Sequence, residues 1–127
     1  MIAARDIMID DIIAVKKDTR LGKIIRLLVQ NRITGLPVVD EDNQLIGMVS
    51  EKDVLKVLYS GKIKGKIVED IMSTEITAFK ENEDLMTIIK CLVDNNFRRV
   101  PITSGSILKG IITRRDIIKF LSSKMAE

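Results

Sequence analysis

Two short stretches carry the residue types that could do chemistry: Gly47-Met48-Val49-Ser50-Glu51-Lys52-Asp53 and Gly110-Ile111-Ile112-Thr113-Arg114-Arg115-Asp116. Each is a glycine, a short apolar run, a hydroxyl residue and, three positions after the hydroxyl, an aspartate. That spacing suits a capping box, in which the hydroxyl starts a helix and the acid returns to the cap's backbone N–H. The box favours Glu or Gln over Asp, so the match is imperfect. Catalysis finds little support around either stretch. The 127 residues include no histidine and a single cysteine, Cys91. Ser-His-Asp and Cys-His nucleophile pairs are therefore excluded, as are the usual Cys/His zinc sites and any disulfide within one chain. No nucleophile or metal cluster accompanies Asp53 and Asp116 to make them a dyad. The expectation is a protein that is not an enzyme, with no catalytic residue, no metal ligand and no required cofactor.

The two stretches belong to a longer repeat. Arg5-Asp6-Ile7-Met8 returns as Glu69-Asp70-Ile71-Met72, an offset of 64 residues that also pairs Ala14 with Ala78, Leu21 with Leu85, Asn31 with Asn95 and Pro37 with Pro101. From Gly47 and Gly110 onward the offset is 63. One residue is lost where Asp40-Glu41-Asp42-Asn43 faces Thr103-Ser104-Gly105-Ser106, and a gap confined to a polar turn is what two copies of one fold tolerate. The boundaries read as residues 1–60 for the first motif, 61–66 for a linker and 67–127 for the second motif.

Each copy must position its hydroxyl and aspartate with the same elements. Ile12 to Val15 and Ile76 to Phe79 read as short strands. Leu21, Ile24, Ile25, Leu28 and Val29, and their partners Leu85, Ile88, Ile89, Leu92 and Val93, make amphipathic helical stripes, with Asp18 and Asn82 as candidate N-caps. Cys91 falls within the second stripe and reads as packing rather than chemistry. Leu36 to Val39 and Leu45 to Val49 form a hairpin, as do Val100 to Ile102 and Leu108 to Ile112, with Pro37 and Pro101 expected at a strand start or on a free edge. A second helix follows, with Val54, Leu55, Val57 and Leu58 matched by Ile117, Ile118, Phe120 and Leu121. The fold class is α/β, two tandem β-α-β-β-α motifs. A copy of about sixty residues is small for its own core, so both are expected to bury their apolar faces together.

Composition limits the partners. With 46% hydrophobic and 31% charged residues, and apolar runs broken by charges, the chain carries no membrane-spanning stretch. Its N-terminus lacks the basic region and long apolar stretch of a signal peptide, and a cytoplasmic location is the expectation. A net charge of +3 points weakly toward nucleic acid. Only Phe79, Phe97, Phe120 and Tyr59 are aromatic, too few for base-stacking platforms, and the lysines are spread apart from Lys62, Lys64 and Lys66. Nucleic acid is not the expected partner.

Asp-Ile-Met before a strand, Ile-Thr-Gly-Leu-Pro-Val-Val-Asp before a hairpin and Gly-Met-Val-Ser-Glu-Lys-Asp after it resemble the CBS motif, named for cystathionine β-synthase. Glu-Asp-Ile-Met, Phe-Arg-Arg-Val-Pro and Gly-Ile-Ile-Thr-Arg-Arg-Asp resemble a second, and the pair resembles a Bateman module over nearly the whole chain. The resemblance implies two halves packed with pseudo-two-fold symmetry and two clefts for adenosine-containing ligands: AMP, ADP, ATP or S-adenosylmethionine. It implies a regulatory sensor that changes conformation on binding, pairs into a homodimer through its helices, and controls an effector, either a separate protein or a domain outside this chain. The alternative is a ligand-free dimerisation or protein-interaction module.

The family's ribose-binding aspartate falls on Asp53 and Asp116, and a carboxylate's two oxygens suit a cis-diol. Ser50 and Thr113 stand at helix starts, where exposed N–H groups favour an anion. Arg98 and Arg99 match the basic pair that precedes the proline in many members, and Arg115 precedes Asp116; guanidinium groups fit phosphate with paired bonds. Adenine is expected against Ile13, Met48, Thr77 and Ile111, where backbone groups read the ring edge. The first copy has Thr34-Gly35 and Lys52 where the second has Arg98-Arg99 and Arg115, so the Asp116 site is expected to bind the phosphorylated ligand more tightly. The roles of cap and ligand coexist at the hydroxyl. Arg98 and Arg99 have a second reading as a basic edge strand that discourages aggregation.

Overall fold

The inward stripes become helices at the expected places. Helix α1 (Leu21–Asn31) buries Leu21, Ile24 and Leu28, and α4 (Leu85–Asn95) buries Leu85, Ile88 and Leu92, as the helical period requires. The stripes end one residue early, because Val29 and Val93 are 72% and 73% exposed. The caps are also not those expected. Arg20, with no side-chain bond, and Asp84, whose carboxylate accepts from the Met86 N–H at 3.0 Å, take the places given to Asp18 and Asn82. The physical reason lies in remote chain: the Leu21 N–H donates to the Lys66 carbonyl at 3.1 Å and the Leu85 N–H to that of Ile2 at 2.8 Å. At the other ends, Asn31 and Asn95 each return a side-chain N–H to the carbonyl four residues back, Leu27 and Cys91. Arg32 and Asn96 then close the helices in the left-handed region, at φ 53° and 54°.

The computed structural model describes residues 1–125. It contains two three-stranded sheets with one topology. The first orders β1 (Val15–Lys16), β2 (Gly35–Val39) and β3 (Leu45–Ser50); the second orders β4 (Phe79–Lys80), β5 (Arg99–Ser104) and β6 (Ile107–Thr113). In each, the first pair is parallel and the second antiparallel. The opening strands expected from Ile12 and Ile76 are reduced to Val15–Lys16 and Phe79–Lys80. Pro37 and Pro101 lie inside central strands, against the expectation of a start or an edge. They are tolerated because their partners Met48 and Ile111 spend their own N–H and C=O on the outer side, with Ser73 and Ile9, at 2.8–3.0 Å. The prolines thus hold non-hydrogen-bonded positions where no ladder donor is required. Both hairpins bulge just before the motif glycine, at Ile46 and Lys109.

Helices α2 (Glu51–Ser60) and α5 (Arg114–Lys124) follow the hairpins. Two elements that the periodicity did not reveal precede the sheets: a 3-10 turn at Ala4–Asp6 and the one-turn helix α3 (Val68–Ile71). The aspartate of each Asp-Ile-Met fixes that turn, Asp6 accepting from the Ala3 N–H at 2.8 Å and Asp70 from the Ile67 N–H at 2.9 Å.

Compact units and sequence repeats divide the chain differently. One unit is Ile13–Ile76; the other joins Met1–Ile12 to Thr77–Glu127. The first motif's Asp-Ile-Met segment therefore packs with the second motif's sheet. Among the described residues each unit has a core cluster of its own. Ile24, Leu36, Val38, Val49, Val54 and Val68 gather in the first unit, and Ile7, Ile88, Val100, Ile102, Ile112 and Ile117 in the second. Each core includes side chains from a strap of the other motif: Val68 in one, Ala4 and Ile7 in the other. Full burial of such a side chain contributes about 1.5–3 kcal/mol. Among the described residues, no helix is long and apolar enough to cross a membrane.

Candidate ligand site

The hydroxyl–aspartate pairs form complete capping boxes. At the start of α2, the Ser50 N–H donates to Asp53 Oδ2 at 2.8 Å, the Ser50 hydroxyl donates to the same oxygen at 3.1 Å, and the Asp53 N–H returns a bond to Ser50 Oγ at 3.3 Å. At the start of α5, the Thr113 N–H donates to Asp116 Oδ2 at 2.9 Å and the Asp116 N–H to Thr113 Oγ1 at 3.1 Å. The imperfect residue type does not prevent the box. Both aspartates are half-buried, and in each only Oδ2 is used; Oδ1 accepts no bond among the described residues. A carboxylate so held is fixed in direction and keeps one oxygen to accept from a hydroxyl.

The sheet register sets what stands beside each box. Gly35 lies opposite Ser50, and Arg99 opposite Thr113. The Thr34 carbonyl accepts from the Glu51 N–H at 2.9 Å, and the Arg98 carbonyl from the Arg114 N–H at 3.1 Å. The second unit thus brings Arg98, Arg99, Thr113, Arg115 and Asp116 to one end of a hairpin, where the first unit brings Thr34, Ser50, Lys52 and Asp53. Arg98 and Arg115 are exposed, as is Lys52. The edge-strand reading of the arginines does not hold, because β5 is the middle strand of its sheet. The start of α5 thus has three cations, Arg98, Arg99 and Arg115, on the residues around it, a combination with first-turn N–H groups whose chemistry suits an anion.

The expected adenine-lining positions divide equally. Ile13 and Met48 fall in the first unit, Thr77 and Ile111 in the second. Ile13, Met48 and Ile111 are half-buried and Thr77 is exposed. The Met48 and Ile111 N–H groups donate to the Ser73 and Ile9 carbonyls, so of their backbones only the C=O, which keeps a second lone pair, is left to read a ring edge, beside the apolar contact of the side chains. That commitment explains the motif glycines. A Cβ on Gly47 would collide with Met72 Sδ, and one on Gly110 would stand 2.7 Å from Met8 Sδ and 3.0 Å from the Ile9 carbonyl oxygen.

Sequence reasoning passed over Arg114. Its Nε donates to the Phe97 carbonyl at 2.7 Å and an Nη to Asn96 Oδ1 at 2.9 Å, which joins the first turn of α5 to the end of α4. Only the doubling of basic residues at 114 and 115 signalled it. An apolar groove of about 350 Å³ in the same unit is lined by α4 and α5, among others by Ile89, Leu92, Val93, Ile117 and Ile118. It includes none of the expected ligand residues.

Comparison with known proteins agrees with this architecture. The family model for the CBS domain matches residues 4–60 and 68–123. The chain is 31% identical over 122 residues to the uncharacterized protein MJ1225 of Methanocaldococcus jannaschii, which covers 96% of this chain and 44% of that one. It therefore spans less than half of that relative's length, and 23% of an inosine-5′-monophosphate dehydrogenase from the same organism. Among solved structures, CBSX2 of Arabidopsis thaliana in complex with AMP superposes with a TM-score of 0.88 at 28% identity, covering 96% of this chain and 97% of that one. The CBS domain pair of protein MJ0100, in complex with 5′-methylthioadenosine and S-adenosyl-L-methionine, gives a TM-score of 0.84 at 25% identity over 97% and 98%.

Proposed function

The chain belongs to the CBS domain family, in two tandem copies, and from that premise we propose that it is a non-enzymatic sensor of an adenosine-containing ligand. The observation that carries the reading is the pair of matched helix starts, each with an aspartate oxygen left to accept. They stand in a fold whose solved relatives hold AMP, or 5′-methylthioadenosine with S-adenosyl-L-methionine. In this reading Asp116 accepts from the ribose hydroxyls through Oδ1 while Oδ2 keeps the cap. The α5 start, Arg98, Arg99 and Arg115 receive phosphate. Ile111 and Thr77 offer apolar contact to the base, as Ile13 and Met48 do in the first unit. Asp53, with Ser50, Lys52 and Thr34, is the weaker counterpart. Ligand binding then changes how the protein engages an effector, carried on another chain or on further sequence.

A thermal-shift screen with AMP, ADP, ATP and S-adenosylmethionine tests the reading, since a ligand at 100 times its Kd adds about 2.7 kcal/mol of stability. Calorimetry then ranks the halves. Asp116→Asn, which preserves an oxygen for the cap, is expected to weaken AMP about tenfold, the loss of one charge-assisted bond, and Asp53→Asn by less. Unchanged AMP affinity in Asp116→Asn would sink the assignment of that residue. A second reading, a ligand-free dimerisation module, is favoured by the apolar helix faces that each unit leaves uncovered: Val29, Leu55 and Leu58 in one, Val93, Ile118 and Leu121 in the other. Absence of any thermal shift would select it.

A further inference from the structure

We propose that Arg114 is a positioning residue for the phosphate end of the second unit, clamping the Asn96–Arg99 turn to the start of α5 so that Arg98 and Arg99 are presented beside Thr113 and Asp116. The inference rests on the reading of that corner as an adenosyl-ligand site and names what makes it the stronger of the two. One residue bonds three successive residues of the turn: Nη to Asn96 Oδ1 at 2.9 Å, Nε to the Phe97 carbonyl at 2.7 Å, and the backbone N–H to the Arg98 carbonyl at 3.1 Å. The planar guanidinium makes two of these from a fixed fork, which sets the direction of the turn as well as its distance. With Nε and one Nη so engaged, Arg114 supports the phosphate cations rather than adding to them.

The corresponding corner of the first unit shows the backbone bond, from the Glu51 N–H to the Thr34 carbonyl at 2.9 Å, without a guanidinium at the position of Arg114. At the places of Arg114 and Asn96 it has Glu51 and Arg32, and no ion pair joins those two among the described residues. Two long arginine side chains lose rotamer freedom when they grip a phosphate, and a mobile backbone beneath them adds to that cost. Fixing the turn beforehand removes the second part, which is how preorganisation raises affinity without a new contact. The benefit falls on the phosphate and not on the nucleoside.

Calorimetry of the full chain with AMP and with adenosine separates these contributions. Arg114→Met is expected to weaken AMP about tenfold while changing adenosine less than twofold, so that the AMP-to-adenosine affinity ratio falls. Asn96→Gly removes only the side-chain acceptor, because glycine adopts the left-handed conformation that Asn96 holds. It is expected to lower the same ratio about threefold, and Arg114→Lys to recover part of the loss. A ratio unchanged in both Arg114→Met and Asn96→Gly overturns the clamp. So does an equal loss for both ligands, which marks a general folding role, or an altered sedimentation mass with the ratio kept, which places Arg114 in a docking face. Wild-type protein that binds neither AMP nor adenosine overturns the site reading itself, and the clamp with it.

Discussion

Asp40 is the residue whose ionisation the fold most clearly uses. Its Oδ1 accepts from the N–H groups of Asp42 and Gln44, both at 2.9 Å, and its Oδ2 from the Gln44 side-chain amide at 3.0 Å. The Gln44 backbone bond, helped by the Asp42 N–H, the Gln44 amide and the Lys16 charge, and opposed by desolvation, holds its carboxyl below the ordinary aspartate value. A folded-state value that is depressed contributes stability above the unfolded value, and that stability is lost as pH falls through the folded one. The hairpin turn is therefore expected to loosen as pH falls below the ordinary aspartate value. Carboxyl-detected NMR should place the Asp40 midpoint below about 3.9, the model-peptide value, and Asp40→Asn should make the turn less acid-sensitive. A midpoint at or above that value would refute the account. Asp6, Asp53, Asp70 and Asp116 share the same habit of accepting from a backbone N–H three residues back. The hydroxyl–aspartate spacing made Asp53 and Asp116 legible as cap partners, whereas Asp6 and Asp70 stood out only as repeated residues. The chain alone could not say that one oxygen serves the cap and leaves the other.

At the scale of elements, each hairpin is edged by a strap from elsewhere in the chain, and the glycine before each hydroxyl–aspartate pair makes room for it. Ile9 bridges Ile111 with two backbone bonds while Met8 lies against Gly110; Ser73 bridges Met48 while Met72 lies against Gly47. Gly110→Ala places a methyl 2.7 Å from Met8 Sδ and 3.0 Å from the Ile9 oxygen. Overpacking of this kind costs about 1–3 kcal/mol. Met8→Ala relieves the sulfur clash but not the carbonyl one. The double variant is therefore expected to be less destabilised than the sum of the two singles, in denaturant unfolding followed as a mutant cycle. Strict additivity would mean that the methionine does not press on the glycine. Helices, hairpins and the capping boxes were legible because each is written in spacings of two, three or four residues. The straps were not. Pairing Met8 with Gly110, or Lys66 with Leu21, requires knowing which segments the fold brings together. The same ignorance put the helix caps at Asp18 and Asn82, and the prolines and Arg99 on an edge.

For the whole molecule, the residues left uncovered repeat as faithfully as those buried. Val29 and Val93, Leu55 and Ile118, Leu58 and Leu121 occupy equivalent positions, and all six are exposed. Val93 and Ile118 also line the groove between α4 and α5. A surface that recurs in both repeats suits pairing with a second copy, because a two-fold interface requires one patch to meet its own kind. A stable pair buries about 1,200–2,000 Å² in total, and charged substitutions at its centre are the severest test because an unpaired charge there is desolvated. Analytical ultracentrifugation of the wild type is expected to give twice the 14.3 kDa of the chain. Leu55→Asp with Ile118→Asp is expected to give the monomer. Both residues are 63% or more exposed within the chain, so the substitutions should leave thermal unfolding at high dilution nearly unchanged, which separates loss of pairing from loss of fold. A wild type that remains monomeric at tens of micromolar would assign these faces to a different protein, and the effector would then be the first partner to seek there.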